Sequence, residues 1–305
     1  MSNERYSRQV ELLLQVLPLL AEQKVFALKG GTAINLFMRD MPRLSVDIDV
    51  TYLPLESRER TIEGIGRALS FLADRICAVV PYSKVQKALG PLDKTIGSLV
   101  VSTNGAVIKI EPNFVLRGSV FPCEIRELCE SAQTRFSAYA EVNTLSFGDV
   151  FGGKLCAVLD RQHPRDLFDA KLLLENEGIT TQIRQAFVLY LASHSRPMHE
   201  LLDPSYLDMR TIFQSEFVGM SRISVSYESL EATRAEVVQK LRVDLSDNER
   251  RFLVSVKAGA PQWDLIPITG IDQLPGIQWK LQNIARMEPG KHARQLERLK
   301  KVLSL

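Results

Sequence analysis

The chain has 305 residues, of which 45% are hydrophobic, so it can bury the core of one large domain or of two lobes. Lysine and arginine number 38 against 36 aspartates and glutamates, and any surface that binds nucleic acid must therefore be a local patch. The polar N-terminus argues against a signal peptide, and the short apolar runs argue against a membrane span. The four cysteines form no Cys-x-x-Cys pair, which argues against a structural zinc site. Together these features predict a cytoplasmic protein.

Five runs of the sequence are typical of β-strands, and helical patterns accompany them. Apolar residues recur at helical spacing over residues 4–23 and 56–75, which predicts two amphipathic helices. Asn104-Gly105 predicts a hairpin turn between two of the strands. The strand-like runs lie at residues 25–28, 45–52, 96–103, 105–111 and 141–145. These elements together predict the mixed sheet of an α+β fold.

The strand predicted at residues 45–52 carries two carboxylates, Asp47 and Asp49. They share one face, because residues two apart on a strand point the same way. Such a pair is costly unless a cation lies between the carboxylates. Mg²⁺ suits this position, since it binds one or two carboxylates together with the phosphates of a substrate. Asp-x-Asp is also common on ordinary exposed strands, so the pair alone does not define a site.

Gly30, Gly31 and Thr32 precede this strand and begin a short helical segment. Glycine lets the backbone approach a ligand closely, and free N–H groups at the start of a helix can bind a phosphate. Thr32 is a candidate N-cap and a second phosphate donor. Gly-Gly-Thr alone is more often only a turn. A phosphate-binding turn followed by a carboxylate pair nevertheless predicts a site for nucleotidyl transfer.

Residues 149–175 predict two helices, because Pro164 ends the first and is tolerated at the start of the second. Asp166 and Asp169 share a face in the first turn of the second helix. Compensation of the helix dipole is an ordinary explanation for Asp166.

From residue 180 onward the patterns are mainly helical, and Ser-Asp-Asn-Glu from residue 246 predicts a helix cap. The tail, residues 277–305, is helical and basic. A basic helix is usually a solvated face, and the alternative is a contact with RNA phosphates.

The motifs in combination resemble those of the AbiEii/AbiGii-type nucleotidyltransferase toxins, which include MenT-like proteins and belong to the DNA polymerase β-type nucleotidyltransferase superfamily. Residues 29–32 match the Lys-Gly-Gly-Thr/Ser motif of the family, and residues 45–49 match its Ser/Thr-x-Asp-x-Asp motif. Lys154 and residues 161–169 match a lysine-bearing helix followed by Arg-x-x-x-Arg-Asp-Leu-x-Asp. The resemblance covers about residues 20–175.

The resemblance implies roles for individual residues. Asp47 and Asp49 would bind the metal, and Lys154 would bind the triphosphate. Asp169 by spacing, or alternatively Asp166, would shape the nucleotide pocket. The implied nucleotide-binding residues are Lys29, Gly30, Gly31, Thr32, Ser45, Lys154, Arg165 and Asp166.

Two further residues have roles that the resemblance implies and that the sequence leaves open. Glu111 would be a third carboxylate that acts as a general base or metal ligand, although Lys109 could simply neutralise an exposed glutamate. Ser45 would be a control point, because some relatives are silenced by phosphorylation of the equivalent Ser or Thr. The alternative is an ordinary strand serine.

The implied architecture is a nucleotidyltransferase lobe of mixed sheet and flanking helices, residues 1–175, followed by a mainly helical C-terminal lobe, residues 176–305. The implied activity is Mg²⁺-dependent transfer of a nucleoside monophosphate from an NTP to the 3′ end of tRNA, which blocks translation. A co-encoded antitoxin is the implied partner. The alternatives are transfer to a protein or small-molecule hydroxyl, and a non-catalytic protein that binds nucleotide or RNA.

Overall fold

The structure, a computed structural model, describes residues 2–91 and 95–305. The chain forms two compact units, of which the first comprises Met1–Ser146 and Val218–Ser224 and the second comprises Phe147–Phe217 and Val225–Leu305. The lobe boundary expected at residue 175 lies inside the second unit. The helix that begins at Phe147 packs mainly on the helices that follow it, and this packing places the structural boundary earlier in the chain.

The first unit is built on a seven-stranded sheet. Its strands are β1 (Phe26–Lys29), β2 (Asp47–Tyr52), β3 (Lys84–Leu89), β4 (Ile96–Thr103), β5 (Ala106–Asn113), β6 (Glu124–Glu127) and β7 (Glu141–Thr144). They are ordered β3-β4-β5-β2-β1-β7-β6. β2 pairs parallel with β5 and β1 pairs parallel with β7, whereas the other neighbours are antiparallel. The sheet is therefore mixed, as predicted.

The five strand-like runs of the sequence correspond to the five inner strands, and the two strands that sequence patterns missed, β3 and β6, form the edges of the sheet. Most of β3 is exposed, and β6 is exposed at every second residue. An edge strand has a neighbour on one side only and carries polar residues that discourage further pairing. Neither strand therefore shows the apolar alternation by which strands are recognised.

Four helices accompany the sheet, namely α1 (Ser2–Ala21), α2 (Gly30–Ala33), α3 (Arg58–Val79) and α4 (Glu130–Phe136). Helix α1 packs on β5 and β7, and α3 packs on β3 and β4. The two helices thereby bury the apolar residues of the inner strands. Helix α2 follows β1 directly and continues into a π-helical turn, Ile34–Met38.

The second unit is helical. Its helices are α5 (Phe147–Arg161), α6 (Pro164–Asn176), α7 (Thr181–Ser193), α8 (Met198–Leu202), α9 (Arg210–Ile212), α10 (Tyr227–Val243), α11 (Asp247–Ala258), α12 (Pro275–Ala285) and α13 (Pro289–Leu303). The cap predicted at Ser246 is confirmed, because Ser246 and Glu249 form a reciprocal capping box at the start of α11. Within the described residues, no helix is long and apolar enough to cross a membrane.

Candidate active site

The turn between β1 and α2 brings the backbone of Gly30 against the side chain of Asp49. Gly30 has a left-handed backbone conformation with φ of 69°, and a Cβ at this position would lie 2.6 Å from Oδ2 of Asp49. Residues with side chains are strained at this φ, and no carbon atom fits at that distance. Glycine at position 30 therefore keeps the main chain next to the carboxylate.

Asp47 and Asp49 lie in β2 and are both half-buried, whereas Ile48 and Val50 between and beyond them are completely buried. This alternation confirms that the two carboxylates share the polar face of the strand. Within the described part of the chain, the carboxylate of Asp49 makes no hydrogen bond or ion pair. A half-buried carboxylate without a partner is costly unless a cation binds it.

The strand register extends this polar face to both sides of β2. Asp49 is paired in register with Lys29 of β1 and with Glu111 of β5, and Asp47 is paired with Lys109 of β5. Nζ of Lys109 lies 2.6 Å from Oε1 of Glu111, and each side chain is 44% exposed. The two residues thus form the ion pair that the sequence allowed. The role of Glu111 as a base or metal ligand stays a prediction.

The positions of Thr32 and Ser45 correct two expectations. Thr32 is not the N-cap, because Lys29 is, and Thr32 lies inside α2 with only 1% of its surface exposed. Ser45 does not belong to the strand, since β2 begins at Asp47, and Ser45 is 6% exposed. The two hydroxyls share a hydrogen bond of 3.0 Å, and the Thr32 hydroxyl also bonds to the Asp47 carbonyl oxygen. These contacts hold the start of β2 against α2.

A second unexpected feature is the short segment Val218–Ser224, which pairs with the loop before β2. Arg43 forms an antiparallel bridge with Ser221, and the Leu44 N–H donates to the Met220 carbonyl at 2.9 Å. Arg43 is 3% exposed, and its guanidinium would lie 2.8 Å from a Cβ at Gly31. No local pattern in the sequence indicates this pairing, because its two partners are far apart along the chain.

In the second unit, Lys154 of α5 lies between two aspartates of α6. Its Nζ is 2.8 Å from Oδ1 of Asp166 and 3.0 Å from Oδ2 of Asp169, and all three side chains are buried. Nη2 of Arg161, which is 62% exposed, lies 2.8 Å from the other oxygen of Asp166. The formal charges of the four side chains sum to zero. The structure thus brings both candidate aspartates to the same lysine.

Arg165 lies at the start of α6 but forms its ion pair elsewhere. Its Nη2 is 3.5 Å from Oε2 of Glu216, and the same oxygen is 3.1 Å from Nε2 of His163. His163 caps α6, because its Nδ1 accepts a hydrogen bond from the Arg165 backbone N–H. Burial lowers the pKa of His163, although the hydrogen bond to Glu216 opposes this change.

The predicted residues therefore lie in two groups. The first unit contains Lys29, Gly30, Gly31, Thr32, Ser45, Asp47, Asp49 and Glu111. The second unit contains Lys154, Arg165, Asp166 and Asp169. The first group offers oxygen ligands that suit Mg²⁺, namely two carboxylates of one strand face beside a glycine turn. No group of three or more His, Cys, Asp or Glu side chains in the described residues is arranged to hold a metal ion by itself.

The family model described as nucleotidyl transferase AbiEii toxin, type IV TA system, matches residues 11–283. The chain belongs to this family. A search among curated proteins finds no match. This AbiEii-family protein is also similar in structure to MenT4, a nucleotidyltransferase toxin of Mycobacterium tuberculosis H37Rv, with a TM-score of 0.60 and 16% sequence identity over 98% of this chain and 93% of that chain.

Membership of the AbiEii family confirms the predicted activity class, because the protein is a nucleotidyltransferase and the toxin of a type IV toxin–antitoxin system. The family also implies an antitoxin as its partner. The structural similarity to MenT4 confirms the predicted α+β fold with its mixed sheet.

Proposed function

We propose that this AbiEii-family protein transfers a nucleoside monophosphate from an NTP to the 3′ end of tRNA in a Mg²⁺-dependent reaction that releases pyrophosphate and blocks translation. The observation that carries the proposal is the Asp49 carboxylate, which has no partner in the described residues and shares a strand face with Asp47 beside the Gly30 turn. The NTP and the tRNA would both be available in the cytoplasm.

The residues of the first group fit a divalent cation that also binds phosphate. Two carboxylates complete only part of an octahedral shell, which leaves positions for phosphate oxygens. When bound, Mg²⁺ would neutralise charge on the phosphates and lower the pKa of the attacking hydroxyl. Asp47 and Asp49 would orient the triphosphate through this shared ion. The backbone at Gly30 and Gly31 would approach the phosphates, because neither residue has a side chain in the way.

The other residues would bind and position the substrates. Glu111 would accept the proton of the attacking hydroxyl, and its ion pair with Lys109 keeps the carboxylate on the face of Asp49. Lys154 would supply positive charge for the triphosphate. Its two ion pairs fix the ammonium in place, so either aspartate contributes by positioning the lysine.

One experiment tests both the donor and the acceptor. The purified protein is incubated with Mg²⁺, total RNA and each of the four NTPs labelled at the α-phosphate, and the labelled product is identified. We expect label in tRNA, and an Asp47→Ala protein serves as the control for contaminating enzymes. Label in a protein or a small molecule would replace tRNA as the acceptor. If a folded protein labels no acceptor with any NTP, the proposal is wrong.

A further inference from the structure

Four cations form a continuous stripe along α13. Lys291, Arg294, Arg298 and Lys301 are all exposed, and their spacing is three, four and three residues. At 100° per residue, the four side chains lie within an arc of about 80°, and they extend over about 15 Å of the helix axis. The opposite side of the helix is apolar, because Leu299 and Leu303 are buried. The helix is thus anchored by one face and presents charge on another.

These four cations differ from most other exposed cations of the second unit, since none of them forms an ion pair within the described residues. On the same helix, Lys300 pairs with Glu297 at 2.7 Å. Glu288 is the carboxylate nearest the start of the stripe. It caps α13 by accepting hydrogen bonds from the backbone N–H groups of Gly290 and Lys291. These bonds lower its pKa, and the charges of Arg294 and Lys291 contribute to the same change.

The interior beneath the stripe contains further basic side chains, together with the buried Glu249 of α11, which pairs with Arg184. Helix α13 packs on α8 and α11, which carry His199 and the buried Lys257, and α11 packs on α12, which carries the buried Lys280. Burial, together with a smaller effect of Lys257, lowers the pKa of Lys280 to about 8. Burial likewise lowers the pKa of Lys257, and the charge of Lys291 adds to this effect. Burial also lowers the pKa of His199, which Glu200 raises and Arg298 lowers.

The protein therefore concentrates positive charge at α13, and Glu288 and Glu297 are the carboxylates of the described residues that partly offset it. An arrangement of this kind disfavours the folded state unless a polyanion binds to it. The cations are separated by about 5 Å along a straight helix, which suits the repeated charges of a nucleic-acid backbone better than a single small anion.

We propose that the stripe formed by Lys291, Arg294, Arg298 and Lys301 binds the phosphodiester backbone of the acceptor RNA. This inference rests on the proposed function for the identity of the partner as RNA. The contact is independent of base sequence, because it is made to phosphates only. It should therefore determine how tightly RNA binds and leave the choice of nucleotide to other residues.

The test measures RNA binding separately from catalysis. The full-length protein is titrated into fluorescently labelled tRNA without NTP, at several salt concentrations. The stripe variant carries four changes, K291Q, R294Q, R298Q and K301Q. A matched control variant removes the same charge from exposed or half-buried cations that do form ion pairs, through R210Q, R242Q, R251Q and K300Q. Melting temperatures confirm that both variants are folded.

Loss of four phosphate contacts should make the plot of log affinity against log salt concentration shallower by about 3 and weaken binding at low salt more than about tenfold. The control variant should keep the wild-type slope. Equal slopes in the wild-type and stripe proteins would overturn the inference. So would equally tight, stripe-dependent binding of polyglutamate, which would indicate an acidic protein partner.

The assay for labelled RNA distinguishes this result from failure of the proposed function. If tRNA is labelled but the stripe variant binds RNA normally, the proposed function stands and the stripe is not the RNA contact. If RNA binds through the stripe but is never labelled, the contact is correct and the proposed reaction is wrong.

Discussion

Two pairs of aspartates in this protein are close together in sequence but have different surroundings. Asp166 and Asp169 are buried, and Lys154 lies between them at 2.8 and 3.0 Å. Asp47 and Asp49 are half-buried on a strand face, and the Asp49 carboxylate has no hydrogen bond or ion pair in the described residues.

The difference shows how the position of the compensating cation would separate a buried pair that the chain itself neutralises from a pair proposed to bind a metal. A buried carboxylate pair needs its countercharge during folding, so the chain must supply it. A half-exposed pair at a glycine turn can instead obtain its countercharge from solution. Asp166 and Asp169 therefore hold the lysine, whereas in the proposed reaction Asp47 and Asp49 would bind an ion together with substrate.

The largest effect is expected from Asp47→Ala. Loss of one of two metal ligands should lower nucleotidyl transfer by about 1,000-fold or more, because the ion contributes several kcal/mol to transition-state stabilisation. The fold should be retained, since the side chain is half-exposed. Rates of label incorporation and melting temperature measure the two properties. Near-normal transfer by a folded variant would refute the metal-pair hypothesis.

The same hypothesis has a readout that does not depend on activity. Mg²⁺ should raise the melting temperature of the wild-type protein more than that of Asp49→Asn. Asp74→Asn, which alters an exposed aspartate of α3, is the matched control and should respond like the wild type.

Lys154→Met should act mainly on stability. It leaves two buried carboxylates without their shared cation, which should lower the free energy of unfolding by about 3 to 5 kcal/mol. Chemical denaturation measures this loss, and adding Asp166→Asn and Asp169→Asn should restore much of it. If the lysine also binds the triphosphate, affinity should fall equally for all four NTPs. Unchanged NTP affinity would leave Lys154 a structural residue.

Ser45→Asp tests whether charge at the start of β2 silences the enzyme. A carboxylate would replace a buried hydroxyl that is bonded to Thr32, and it would add negative charge two residues before Asp47. We expect transfer to fall by roughly 100-fold, whereas Ser45→Ala should lose only about 1 kcal/mol of stability and keep most activity. An active Ser45→Asp protein or an inactive Ser45→Ala protein would contradict the switch.

The burial of Ser45 sharpens that prediction. A kinase can reach the hydroxyl only if the loop before β2 first separates from α2 and from the segment Val218–Ser224. This opening can be detected in the wild-type protein without any mutation. Hydrogen exchange of the Leu44 amide, which bonds to the Met220 carbonyl, should follow it directly.

Gly30→Ala tests whether the close approach of the Gly30 backbone to Asp49 matters beyond the strain of a left-handed backbone. Gly30 and Gly178 both have φ of 69°, but a Cβ at Gly178 would meet nothing within 4 Å. Gly178→Ala should therefore cost only about 1 to 2 kcal/mol of stability and no activity. Gly30→Ala must also displace the Asp49 carboxylate, so transfer should fall by more than about tenfold. Equal activity in the two variants would show that Asp49 does not need this contact.

The last prediction contrasts Lys154 with a buried lysine that forms no ion pair within the described residues. Lys280 donates to the carbonyls of His194 and Arg196, and burial lowers its pKa to about 8. The unfolded chain, with the ordinary lysine pKa, therefore binds more protons above pH 8, and stability rises with pH in that range. Between pH 7.5 and 9.5, wild type should gain about 2 kcal/mol of unfolding free energy relative to Lys280→Met. A constant difference between the two proteins over this range would show that the pKa of Lys280 is not lowered.

The geometry of much of the candidate site was predictable because its signals are local. Alternation of polar and apolar residues placed Asp47 and Asp49 on one strand face, and Ile48 in the core confirms that pattern. The five inner strands were predicted for the same reason, since each buries apolar residues on the sheet. Gly30 was recognised as a turn residue, and its positive φ agrees with that interpretation.

Only the tertiary structure decided which polar groups are buried and what they contact. Ser45 and Thr32 look like exposed site residues in sequence, yet they bond to each other inside the unit. The bridge between Arg43 and Ser221 joins positions far apart in the chain, and no window of sequence contains both partners. Lys154 could have served either aspartate by spacing, and it contacts both, because side-chain packing between two helices sets those distances. Local periodicity fixes which face a residue occupies, but long-range packing determines its partner and hence whether its charge is already compensated.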